Sequence, residues 1–74
     1  MSTDYDLKFG KNLRAIRMAC KLTQEEFSGK LKDIGYNLSI HEINEIESGK
    51  RYVYPHELKS FHQALGVTYE KLLP

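Results

Sequence analysis

One local pattern is written repeatedly into this chain: an apolar residue, a hydroxyl, two spacers, an acid and another apolar residue. It stands as Leu22-Thr23-Gln24-Glu25-Glu26-Phe27 and again as Leu38-Ser39-Ile40-His41-Glu42-Ile43. In such a box the hydroxyl accepts a hydrogen bond from the backbone three residues on. The acid accepts one from the backbone of the hydroxyl residue, and the flanking apolar pair closes over the helix entry. Val67-Thr68-Tyr69-Glu70-Lys71-Leu72 carries the same hydroxyl and apolar pair, with Lys71 in the acid's place. A chain punctuated this way is committed to short helices with defined starts.

The apolar spacing agrees. Phe9, Leu13, Ile16 and Cys20 step by four, three and four, so they share one helical face. The first helix is expected from near Thr3 or Asp4 to near Cys20. A second follows Thr23 and ends near Asp33, before Gly35. A third runs from about Ile40 to Ser48, where Gly49 supplies a left-handed stop. Pro55 suits the first turn of a fourth, with Leu58, Phe61 and Leu65 inward and Gly66 as its end. A fifth of about one turn follows Thr68. Tyr52-Val53-Tyr54, cut off by Pro55, is too short for a strand. The expected fold is all-α, a compact four-to-five-helix domain over 1–74. One core is expected from Phe9, Leu13, Ile16, Leu22, Phe27, Leu31, Leu38, Ile43, Ile46, Leu58, Phe61, Leu65 and Leu72, with Cys20 at its edge.

Composition narrows the function classes. The 74 residues suffice for one domain. The net charge is only +1, so charge total alone says little about nucleic acid, and the placement of charge matters more. A single cysteine, Cys20, can form neither an internal disulfide nor a zinc site and fits a reducing compartment. No apolar run reaches the length of a membrane span. The N-terminal Met-Ser-Thr-Asp-Tyr-Asp is polar and acidic, unlike a signal peptide. A cytoplasmic protein is expected. His41, His56 and His62 stand at no metal-ligand spacing, so no metal and no cofactor are expected. No nucleophile–base pattern, glycine-rich phosphate loop or catalytic carboxylate pair is evident, which leaves an enzyme the least favoured class.

Two capped helices with a short connection suggest a helix-turn-helix over about 23–48. The specific residues sharpen this. Leu13-Arg14-Ala15-Ile16-Arg17, Leu22-Thr23-Gln24-Glu25-Glu26-Phe27, Ile43 to Arg51, Ala64-Leu65-Gly66-Val67-Thr68 and Leu72-Leu73 occur in order. Together they resemble the phage repressor and Cro (XRE-type) family of helix-turn-helix regulators from about Phe9 to Leu73. The chain departs from many members at Lys32 to Asn37, which lengthens the connection between the second and third helices. That is similar to a longer-turn version of the family.

The resemblance implies a sequence-specific regulator of transcription, with a repressor as the first expectation, that places helix 40–48 in the major groove of double-stranded DNA. Ile40, His41, Asn44 and Glu45 are then the base-contacting candidates. Asn44 suits an adenine edge, Glu45 a cytosine amino group and Ile40 a thymine methyl. For each, a solvated helix face is the plain alternative. Thr23 and Gln24, opening the second helix, and Ser48, Lys50 and Arg51, after the third, are the phosphate-contacting candidates; Lys30 and Lys32 are candidates to flank them, with solvated lysines as the plainer alternative. Arg17 and Glu47 match family positions that form a structural ion pair. A homodimer is expected, with Tyr69 and Leu73 as first candidates for its surface. Against DNA stand Glu42, Glu45 and Glu47 on a third helix without Lys or Arg. A second reading is therefore a protein-interaction module of the same fold. A third is an antitoxin, which binds both DNA and a protein partner.

Overall fold

The computed structural model describes residues 3–74; Met1 and Ser2 of the expected 1–74 unit lie outside the described residues. Five helices follow one another: α1 (Asp4–Ala19), α2 (Gln24–Asp33), α3 (Ile40–Glu47), α4 (Pro55–Leu65) and α5 (Tyr69–Leu72), with no strand among the described residues. The boxes at Thr23/Glu26 and Ser39/Glu42 form as expected, and Thr68 caps α5 through the Lys71 amide. A further box opens α1, where Thr3 and Asp6 satisfy each other's backbone amides at 3.0 and 3.3 Å.

The first three helices also end alike. After α1 the Leu22 amide donates to the Arg17 carbonyl and the Lys21 amide to Met18. After α2 the pairs are Tyr36 to Leu31 and Gly35 to Lys32; after α3 they are Lys50 to Glu45 and Gly49 to Ile46. This double bond needs a left-handed residue at its centre. Gly35 and Gly49 supply one at φ 87° and 73°, and Lys21 adopts φ 59° in the same place after α1.

Ten side chains form the buried cluster: Phe9, Leu13, Phe27, Leu31, Leu38, Ile43, Ile46, Phe61, Leu65 and Leu72. Ile16, Leu22 and Leu58 pack against it half-buried. Phe61 is the aromatic hub, its ring centroid 5.6 Å from Phe27 and 6.5 Å from Phe9. Cys20 departs from expectation. It is exposed, because α1 ends at Ala19 and the chain turns before the fourth residue of the apolar stripe.

Two close approaches lock α3 against α1. Gly10 is buried, and a Cβ there would strike the Ile46 carbonyl oxygen and stand 2.7 Å from that of Glu47. Gly49 combines its positive φ with a Cβ position 2.6 Å from Leu7 Cδ2. On another face of α1, two residues beyond Gly10, the Asn12 amide donates to the Lys71 and Leu72 carbonyls at 2.6 and 2.7 Å and ties down α5. Among the described residues no helix is long and apolar enough to cross a membrane, and no cluster of metal-ligating side chains occurs.

Candidate nucleic-acid interface

Helical periodicity divides α3 into two faces. Ile43, Ile46 and Glu47 are buried against α1 and α2, while Ile40, His41 and Asn44 face solvent and Glu45 is half-buried. The four expected base-contacting residues thus lie off the buried face, with Ser48 exposed at the helix end.

An ion pair underlies this surface. Arg17 donates from Nε to Glu47 Oε2 at 2.7 Å, from Nη2 to Oε1 at 3.0 Å and from Nη1 to the Leu22 carbonyl at 2.7 Å. The hydrogen bond to Glu47 raises the Arg17 pKa above its ordinary value, outweighing the opposite effect of burial. Gln24 lies over the pair. Its amide donates to Glu47 Oε1 at 3.2 Å and to Asn44 Oδ1 at 3.4 Å, so the start of α2 is stitched to the exposed side of α3. The Ser48 hydroxyl donates back to the Asn44 carbonyl.

These bonds also account for the acids of α3. Glu42 accepts from the Ser39 amide at 3.1 Å, as a cap. Glu47 is neutralised by Arg17. Glu45 remains, with His41 Nε2 3.8 Å from its carboxylate. The objection that α3 repels phosphate therefore reduces to one half-buried carboxylate. Thr23 is exposed and its hydroxyl accepts from the Glu26 amide at 3.0 Å, while the Glu26 carboxylate accepts from the Thr23 amide at 2.9 Å. Those bonds, the one to the Thr23 backbone foremost, hold the Glu26 carboxyl below its ordinary pKa.

The two basic residues after α3, expected to act together on phosphates, are placed differently. Lys50 is exposed. Arg51 is turned inward to Glu57, with Nη1 3.0 Å from Oε1 and Nη2 2.8 Å from Oε2, and also donates to the Tyr52 carbonyl at 3.0 Å. The physical reason is Glu57 itself, which is only 1% exposed in the first turn of α4 and needs donors there. The Tyr36 hydroxyl and the Tyr54 amide, the latter at 3.0 Å, complete its set. Burial pushes the Glu57 pKa up, but the bonds from Arg51, Tyr36 and Tyr54 prevail and hold it below the ordinary value. Burial and the Glu57 bond push the Tyr36 hydroxyl to about 12. Arg51 is thus held by Glu57 in this arrangement, which leaves Lys50 the more accessible of the two cations.

Sequence reasoning did not single out Glu57 or Arg14, nor the part Tyr36 plays in holding Glu57. An acid three residues after Tyr54 and two after Pro55 is a helix-start signal, but without a hydroxyl cap it does not reveal its burial. Arg14 lines a polar cleft with Arg17, Gln24, Asn44, Glu47 and Ser48, where α1, α2 and α3 meet. Away from this surface, Tyr69 and Leu73 are 44% and 41% exposed, and His62 stacks on Tyr69 at 4.3 Å between ring centroids.

No family model and no curated protein matches the chain by sequence. Solved structures do. The DNA-binding domain of BldD is 28% identical, covers all of both chains and superposes with a TM-score of 0.83. The restriction-modification controller protein C.AhdI from Aeromonas hydrophila is 26% identical, covers 92% of this chain and 96% of its own, and superposes with a TM-score of 0.80.

Proposed function

We propose that this chain, which resembles the phage repressor and Cro (XRE-type) helix-turn-helix family in sequence and shares the fold of two DNA-binding regulators, is a sequence-specific, DNA-binding regulator of transcription. The observation that carries the proposal is the stitched surface of α2 and α3. Gln24 and Asn44 meet above a neutralised ion pair, and Ile40 and His41 project beside them. A rigid α2–α3 pair of this kind offers one helix to the major groove and its neighbour to the backbone. Asn44 is exposed, and its Oδ1 keeps a lone pair beyond the one used by Gln24, which suits an adenine edge. Gln24, Ser48 and Lys50 flank this surface as backbone contacts. The role is binding rather than catalysis, in the cytoplasm, and repression is its simplest form because a protein seated in a promoter excludes polymerase.

One recognition helix gives few contacts, so the binding unit is a homodimer on two-fold-related half-sites about one helical turn apart. Tyr69 and Leu73, exposed on and after α5, are the proposed contacts between copies. A second reading, a protein-interaction or antitoxin role, is favoured by one observation. Tyr52, Tyr54 and His56 form an exposed run of rings, Tyr52 to Tyr54 at 4.8 Å and Tyr54 to His56 at 5.6 Å.

The discriminating experiment is a gel shift on the protein's own promoter at two salt concentrations, with Glu45→Gln beside the wild type. If Glu45 reads cytosine, E45Q changes preference at one base pair of the site. If it only repels phosphate, E45Q tightens binding to every duplex alike. No shift at low salt for either protein would hand the surface to a protein partner.

A further inference from the structure

We infer that Arg14, on the first helix, is a DNA-backbone contact: the cleft between α1, α2 and α3 seats one phosphate of the duplex, with the Arg14 guanidinium as its cation. The inference rests on the DNA-binding reading and adds to it a residue outside the helix-turn-helix itself.

The cleft is lined by Arg14, Arg17, Gln24, Asn44, Glu47 and Ser48. Its floor is electrically closed, because Arg17 and Glu47 are bonded to each other. Gln24 and Asn44 are bonded to each other as well and bring amide groups rather than charge. The one uncompensated charge of the lining is therefore Arg14. It is exposed, and among the described residues it enters no ion pair and no side-chain hydrogen bond of the kind that occupies Arg17 and Arg51. Its neighbours one helical turn away on α1 are Gly10, Lys11, Arg17 and Met18, so no acid of its own helix answers it.

Such a cleft suits an anion with several acceptor oxygens. A guanidinium presents a planar fork to a phosphate, and the Ser48 and Asn44 side chains stand at the same rim. The duplex is the anion chosen because that rim is continuous with the exposed side of α3 proposed to read bases. A helix lying in the groove brings the flanking phosphates to its two sides. Lys50 follows the C-terminal end of α3, and Arg14 approaches from α1 across the cleft. With Arg51 tied to Glu57, Arg14 replaces it as the second basic contact.

The test is the salt dependence of binding to a mixed-sequence DNA duplex, which reports phosphate contacts without knowledge of the operator. Each phosphate contact contributes about 0.9 to the slope of log K against log salt. Arg14→Ala is expected to lower the slope by about one, the same change expected of Lys50→Ala, with an unchanged melting curve because the side chain is exposed. Arg14→Lys is expected to keep the wild-type slope. An R14A slope equal to wild type, beside a reduced K50A slope, would overturn the inference and leave the DNA reading intact. A wild type that binds no duplex at any salt would remove both.

Discussion

Replacing Arg51 with alanine separates two roles that its position after α3 leaves confounded. In the structure its guanidinium holds both oxygens of Glu57, a carboxylate that is 1% exposed. Removing one partner of a buried pair typically costs about 3–5 kcal/mol, most of it from the stranded charge. Two features reduce that here. The Arg51 side chain is itself 23% exposed, and Glu57 keeps the Tyr36 hydroxyl and the Tyr54 amide. A loss of about 2–3 kcal/mol is expected, which for a domain this small lowers Tm by about 8–24 °C. The stranded charge predicts two further results. Arg51→Ala combined with Glu57→Gln should be more stable than R51A alone. The R51A deficit should also shrink on acidification, because its Glu57, no longer held down by the guanidinium, protonates more readily. In the wild type the sign is opposite. A carboxyl with a depressed folded pKa contributes stability that is complete above its ordinary value, near 4.5, and is lost as pH falls through the depressed one. Thermal melts of the three proteins across acid to neutral pH measure all of this. R51A that melts like wild type while its DNA-binding salt slope drops by about one would refute the reasoning and return Arg51 to the phosphates.

Two more substitutions probe the packing that presents α3. Ile43→Ala opens the centre of the core at a fully buried side chain and should cost about 2–5 kcal/mol by denaturant titration; an unchanged midpoint would contradict its placement. Gly10→Ala sets two effects against each other. Helix propensity alone favours alanine by about 1 kcal/mol, but the new Cβ meets backbone carbonyls of α3 that no rotamer change can move aside. Overpacking of this kind costs about 1–3 kcal/mol or more, so G10A should melt below wild type, and a higher Tm would show that α1 and α3 part easily.

The starts and stops of the helices were legible in the sequence because they are local. A capping box spans four residues and a left-handed stop one, so Thr23, Ser39, Thr68 and Gly49 declare them without reference to the rest of the chain. The inward stripe was legible for the same reason, since a helix turns Phe27, Leu31, Ile43 and Ile46 to one side wherever it lies. Cys20 shows the limit of that reasoning: its spacing fits the stripe, but the helix ends one residue before it. The Arg17–Glu47 pair was reached only through family resemblance, because its partners are 30 positions apart. What the tertiary structure alone decided is which polar groups are already spoken for. Arg51 and Lys50 are adjacent basic residues after the same helix, and nothing local distinguishes them. They differ because the fold buries Glu57 within reach of one and leaves the other in solvent. Gly10 and Arg14 are alike in this respect. One is required, and the other faces a cleft, only because α3 crosses α1 where it does. Short-range hydrogen bonds and periodicity are written along the chain, whereas desolvation and charge pairing depend on what is brought near, and that is settled only when the helices pack.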